Sequence, residues 1–600
     1  MNTLITRLAN LTLVGGLCLS VGVGCVTGDD DPDPNPRPDN PDVCEEINSG
    51  DVSSGATLSS DSCYQINNPL NVSSGTLVIE AGTTVFMGAG SSITLSGTGT
   101  IEAVGEEENE ILIQGVDDER GYWGGIYINE TGTSNHVLEY VTIRNAGGER
   151  FTGNSESKGA VYVRGESRLS VSNCAFEQNA FAGIHADGDA STLSVETTSF
   201  TDNELPLRLR PNHFAGLEGD LTISENDADH ILMTGSASTV SLSGTWPGYT
   251  YRITRDLSVQ ADITIAAGAT LELAQDVRVT IADDTGSLNI AGTESARVTL
   301  QAVNGERGGW GGIHFENASS ANNRINHALI AHGGGKAYSG NGDARGAVFI
   351  DGDASRLTIE NTTFDNNDYA ALHAATREGE VNVSGSTFSN NANPLLTRPN
   401  QIGGFSADLA FVDNDRQAVT VFYNSTGAVT KLTRDQTWPA FEVPVRLSAN
   451  IVVEGHLTLS PGSTFEAESD MGIDVNGGRL TADATDGDTI VFKGTEELSG
   501  YWQGFRFAAS RFPDNKLINV ELSNAGSKRW TGNSDTQSAI LIYDDSRVTV
   551  SDLTITGSGL HGIHVGTGGE LVGCTGLSIS GSAGDDFFGA VADATACLPL

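Results

Sequence analysis

The chain has 600 residues and carries 77 acidic against 33 basic side chains, a formal charge of −44. A surface this negative repels phosphate backbones, which excludes nucleic acid and leaves solubility, capture of Ca²⁺ or a cationic partner as its uses. With 73 Gly, 16 Pro, 4 Met and no long Ala/Leu/Glu/Lys stretch at helical spacing, the composition points to short strands closed by tight turns.

Arg7 follows a short polar start, and Leu8 to Val23 is nearly all apolar or small. That length suits a signal-peptide core and is short for a spanning helix, so residues 1–24 are expected to be a signal peptide. The stretch ends Val21-Gly22-Val23-Gly24-Cys25, which resembles a bacterial lipobox, with Gly22 where the family pattern prefers Leu. The resemblance implies lipid attachment at Cys25 and an exported, cell-envelope protein, an outer-membrane lipoprotein open to the cell surface. Ordinary signal-peptidase cleavage nearby is the alternative. Residues 25–43 continue as a tether, in which Thr27 to Asp42 reads TGDDDPDPNPRPDNPD. Such a stretch is too polar to pack and is stiffened toward polyproline II.

Five further cysteines follow: Cys44, Cys63, Cys174, Cys574 and Cys597. Export makes disulfides reasonable, Cys44 with Cys63 at the start of the folded part and Cys574 with Cys597 at its end. Terminal staples suit a repeat protein, whose ends expose core. Cys174 lies in an alternating apolar run and reads as a small core residue rather than a nucleophile.

Internal repetition organises the rest. Gly121-Tyr-Trp-Gly-Gly-Ile-Tyr127 returns as Gly308-Gly-Trp-Gly-Gly-Ile-His314 and as Gly500-Tyr-Trp-Gln-Gly-Phe-Arg506. RFTGNSE from Arg150 matches AYSGNGD from Ala337 and RWTGNSD from Arg529. The expected division is three blocks of about 190 residues, 44–235, 236–425 and 426–600, the last with a C-terminal cap. A shorter beat runs inside each. Phe176 and Phe200 are 24 apart, as are Phe364 and Phe388, with Asn179, Asn203, Asn367 and Asn391 in step. Period-2 runs such as Leu169-Ser-Val171 and Leu357-Thr-Ile359, punctuated by Gly, Asn and Asp, are strands and turns.

A period of about 24 residues holding about three strands describes one coil of an all-β, right-handed parallel β-helix, with turn asparagines laddered between coils. The two less regular stretches, 205–260 and 393–450, share Arg210-Pro-Asn212 with Arg398-Pro-Asn400, and are either coils with longer excursions or loops packed on the side. The Gly-rich turn, Val/Ile-x-Leu/Phe strand and Gly-x-Trp-x-Gly-Ile/Phe pattern resembles secreted bacterial β-helix proteins of the pectin-lyase-like superfamily. That resemblance implies the fold and the right hand. It leaves function open, because the superfamily holds lyases, glycoside hydrolases, adhesins and other proteins.

Candidate chemistry is sparse. Asp187-Gly-Asp189-Ala-Ser191 and Asp351-Gly-Asp353-Ala-Ser355 are the best Ca²⁺ candidates, each offering two carboxylates, but Asp-Gly is also an ordinary turn. His185, His373 and His564 recur once per block, too far apart to share a metal, and read as outward residues beside inward Ile184, Leu372 and Ile563. Trp123, Trp310 and Trp502, with Tyr122 and Tyr501, are sugar-stacking platforms if exposed and turn covers if buried, and the surrounding glycines favour burial. Gly557-Ser-Gly-Leu-His-Gly562 matches a phosphate-loop spacing without the helix that such a loop needs. The expectation is a non-catalytic surface lipoprotein that binds polysaccharide or a cell-envelope component. The alternatives are a polysaccharide lyase or glycoside hydrolase, with a catalytic cluster made once, and a structural spacer.

Overall fold

The computed structural model describes residues 41–132, 134–235, 239–422 and 429–590. Residues 1–24, Cys25, most of the tether and Cys597 lie outside that set.

Strands of three to five residues alternate inward apolar with outward polar side chains, as in Arg168–Ser172, where Leu169 and Val171 are buried between exposed Arg168 and Ser170. Most strands pair in parallel with the third strand along, and a number toward the C-terminus with the second. Gly125–Asn129 lies between Ser92–Ser96 and Val161–Arg164, and among the described residues the strand ladders are parallel. The chain is therefore a parallel β-helix with three faces. The first face is a 14-stranded sheet running from Leu70–Val72 to Ala410–Val412. The second carries the strands of the 18-stranded sheet over residues 239–421, and the third the six-stranded sheet from Gly244–Trp246 to Glu380–Ser384. Toward the C-terminus two strands, Lys516–Ser523 and Ser546–Thr556, run around a corner and join neighbouring faces.

One apolar core fills the interior. Phe176 stacks on Phe200 with ring centroids 5.1 Å apart, and Phe364 on Phe388 at 4.9 Å. At the turns, Asn179 donates Nδ2–H to Asn203 Oδ1 at 2.9 Å, and Asn203 does the same to Asn226. Asn367, Asn391 and Asn414 form the equivalent ladder. The irregular stretches turn out to be coils. Pro211–Gly216 and Pro399–Gly404 are 3₁₀ turns set between coil strands, and they bury Phe214 and Ile402.

At the N-terminal end Cys44 and Cys63 form a disulfide, with Cα atoms 4.8 Å apart. Cys574 is also disulfide-bonded. Cys174 is buried, its thiol held by the carbonyls of Leu138 and Ser172 and pushed up to about 12 by burial, so it offers no thiolate near neutrality.

Coil length is not constant. Phe176 pairs with Phe200, 24 residues on, but Thr250 pairs with Thr270 and Ile126 with Val161. The long coil recurs in each block, as Ile313 with Val348 and Phe505 with Ile540. Its start is set by Gly125, Gly312 and Gly504, at φ of +105°, +113° and +95°. A Cβ at Gly312 would run into the carbonyl oxygens of Gly346 and Ala347 as well as adopt a disfavoured φ. Gly312→Ala is expected to cost about 3 kcal/mol, read as a lowered urea midpoint. Gly340→Ala, with open space around it, should leave the midpoint unchanged.

Because coil length varies, a block is not a whole number of coils. The strand Gly312–Glu316 follows its counterpart Gly125–Asn129 by 22 strands, at three strands per coil, or seven and one-third coils. Counterpart strands accordingly lie in different sheets: Gly125–Asn129 in the 14-stranded sheet, Gly312–Glu316 in the 18-stranded sheet and Gly504–Ala508 in a seven-stranded one. Each block is turned by one face relative to the block before it.

Candidate functional site

The repeated tryptophans are interior. Trp123, Trp310 and Trp502 are each 0% exposed, and their Nε1–H groups donate to the carbonyls of Arg144, Ala331 and Ser523 at 2.7–2.8 Å. Tyr122 and Tyr501 are half-buried beside them, and Tyr501 packs against the core. The sugar-platform reading of these tryptophans is therefore corrected: a fully covered indole with a satisfied N–H has no face left for a ligand.

From each tryptophan the chain enters a strand whose outward residues form a ladder. In the first block it runs Tyr127, Tyr162, His185, Arg208; in the second, His314, Phe349, His373, Leu396; in the third, Arg506, Leu541, His564, Phe588. The histidines point outward as expected, yet they are covered. The TGN-type loop of each long coil folds back and sets an aromatic ring on the ladder. Phe151 stacks on Tyr127 at 4.8 Å, and Tyr338 lies 4.4 Å from the His314 ring. In the third block Trp530 lies 6.0 Å from the Arg506 guanidinium. His185 and His373 are 1% and 3% exposed, and burial pulls their pKa down to about 3 and about 4. Each ring is neutral near pH 7, its Nδ1–H donating to the carbonyl of Lys158 or Arg345.

The loop is built the same way three times. Asn154 Oδ1 accepts from Glu156 N–H while Asn154 N–H donates to Thr152 Oγ1; Asn341 with Asp343 and Ser339, and Asn533 with Asp535 and Thr531, repeat both bonds at 3.1–3.3 Å. These local side-chain bonds fix the turn at the tip of the loop.

Beside the loop a cleft opens at the same place in two blocks. In the first it is about 470 Å³ and is lined by Asn154, Glu156, Asp187, Arg210 and Thr234, with Arg208 and Arg255 also on its wall. In the second it is about 500 Å³, and the matching positions are Asn341, Asp343, Ala375, Arg398 and Phe422. Phe349, His373, Asp351, Asp353 and Arg377 also line that second cleft. In the third block the position of Arg210 and Arg398 is held by Ala590.

No family model, no curated protein and no solved structure matches this chain.

The two Asp-Gly-Asp motifs fall at these clefts, where their carboxylates are already engaged. Arg210 reaches Asp187 at 3.1 Å and Asp189 at 2.5 Å, so its guanidinium stands where a Ca²⁺ bound by that pair would sit. Asp351 accepts from His314 Nε2 at 2.9 Å, and Asp353 from the Arg377 N–H at 3.3 Å. Ser191 and Ser355 close the turns by donating to the carbonyls of Gly188 and Asp351. Among the described residues, no three His, Cys, Asp or Glu side chains gather as a metal site would require. The motifs act as turns.

Sequence reading missed the clefts although it contained their parts. The TGN loops and the Arg-Pro-Asn motifs both stood out as repeats. Their meeting depends on strands two and three coils apart, a distance hidden by the long coil between them.

Proposed function

We propose that the protein is an exported, lipid-anchored and non-catalytic binding scaffold whose two clefts hold segments of a polysaccharide or cell-envelope glycan. The observation that carries this reading is the recurrence of one cleft, built from matching positions, in two blocks. A sugar ring offers hydroxyls in a fixed plane and an apolar C–H face. In the second cleft, planar Asn, Asp and Arg groups beside the half-buried ring of Phe422 answer both, within the size range of small-ligand sites. The superfamily resemblance and the lipobox-like stretch ending at Cys25 support export and anchoring.

One observation favours the lyase or hydrolase reading: the second cleft holds three carboxylates, Asp343, Asp351 and Asp353. Each already serves the fold, since Asp343 accepts from Tyr369 Oη–H at 3.1 Å and the other two hold His314 and the Arg377 amide. General acid–base work needs a carboxyl free to exchange protons with substrate.

A glycan array run with product detection tests the proposal. Binding without product is expected, weakened about tenfold by Phe422→Ala through loss of a stacking face worth about 1–1.5 kcal/mol. Product release would replace the proposal with the enzyme reading, and neither binding nor product would leave a spacer. Anchoring is read from the mass of the mature N-terminus, with lipid label expected to vanish in Cys25→Ala.

A further inference from the structure

The two clefts do not share a face. The ladder beside the first lies in the 14-stranded sheet and the ladder beside the second in the 18-stranded sheet, because their blocks are offset by seven and one-third coils. At about 4.8 Å per coil the counterpart positions are about 35 Å apart along the axis. In a three-faced helix the leftover third of a coil turns one against the other by about 120°. A straight polymer laid along either face passes one cleft and misses the other.

We infer that the chain is a two-site cross-bridge, each cleft taking a separate glycan strand, rather than one extended groove gripping a single strand. This rests on the reading of the clefts as glycan sites. Divalency of this geometry gives little intramolecular advantage, since the second site gains effective concentration only when one ligand can span both. It gives a network instead. Polymers with many binding segments, held by a protein whose two sites face different directions, become linked to one another.

The exposed arginines Arg255 and Arg377, one on the wall of each cleft, allow each site to be blocked separately. The probes are dextran and alginate, one neutral and one anionic, each as a hexasaccharide and as a long chain. Calorimetry with the hexasaccharide is expected to give two sites per chain, one in Arg255→Glu, one in Arg377→Glu and none in the double variant, with unchanged thermal midpoints. Mixing the full chain with the long polymer should raise light scattering at least tenfold near equivalence, and excess hexasaccharide should abolish the rise. Each single variant should bind the polymer with no rise. Two sites per chain with no scattering, and polymer held about a hundredfold more tightly than hexasaccharide, would overturn the cross-bridge while leaving the glycan reading intact. Failure of both hexasaccharides to bind would overturn the glycan reading and the cross-bridge with it.

Discussion

Replacing Asn391 by Leu is expected to cost about 4 kcal/mol and to open the solenoid locally. Asn391 is 0% exposed at the centre of its ladder. Its Oδ1 accepts from the backbone N–H of Asn367 at 3.0 Å and from Asn367 Nδ2 at 2.9 Å. Its Nδ2 donates to the Phe364 carbonyl and to Asn414 Oδ1, both at 3.0 Å. Leucine matches the volume and supplies none of these bonds. The Asn367 N–H and the Phe364 carbonyl are left buried with a lost partner, each at about 1–3 kcal/mol. In a solenoid, where each coil contacts chiefly its neighbours, the loss stays near its origin. Hydrogen exchange is the measurement that resolves it. Amides of Thr363–Asp365, Thr387–Ser389 and Ala410–Val412 should lose about a thousandfold in protection, the equivalent of about 4 kcal/mol. Amides of Gly504–Ala508, several coils away, should keep theirs. An Asn391→Leu chain with unchanged exchange would mean that the ladder is ornamental. A cycle with Asn367→Leu should be strongly non-additive, because either change breaks the same bonds.

That ladder is legible in the sequence alone, and the reason is physical. Asn179 and Asn203, like Asn367 and Asn391, lie in the stretch of each block where coils are 24 residues long, so equal spacing in sequence becomes stacking in space. Phe176 on Phe200 follows the same rule. The rule fails at Ile126 and Val161, stacked neighbours whose separation includes the whole TGN loop. Dividing 187 residues by 24 suggests about eight complete coils and puts every block on one face. The strands count seven and one-third, and the faces differ. The histidines show a second limit. Alternation with Ile184 and Leu372 correctly turned His185 and His373 outward, but outward on a strand is not exposed when a loop returns to cover it. Period-2 patterning reports which side of the sheet a residue takes and carries no information on what is packed over that side.

Those covered histidines make the protein acid-sensitive in a defined window. His136, His185, His213 and His373 are each no more than 3% exposed, and burial lowers their pKa to about 4, 3, 4 and 4. Nearby arginines push the same way: Arg208 on His185, Arg210 on His213 and Arg398 on His373. In the unfolded chain a histidine takes its proton near pH 6.5, while in the folded chain it resists until about pH 4 or below. Between those values the unfolded state binds more protons, so stability falls as pH falls, and the loss levels off once the folded rings protonate. At pH 5 each such ring contributes a loss of about 2 kcal/mol relative to pH 7.5. Relief of self-repulsion among the carboxylates acts in the opposite direction, but most of them protonate below about pH 4.5, outside the upper part of this window. The urea midpoint should therefore drop clearly between pH 7.5 and 5. His185→Phe combined with His373→Phe removes two of the four rings from positions already lined by Tyr162, Phe181, Phe349 and Tyr369. That variant gives up the bonds to the Lys158 and Arg345 carbonyls, about 1 kcal/mol each at pH 7.5. It should then lose about 4 kcal/mol less than the parent on going to pH 5. Parallel pH profiles for parent and variant would show that these rings are not the groups that take up the protons, and would move the acid response to the carboxylates.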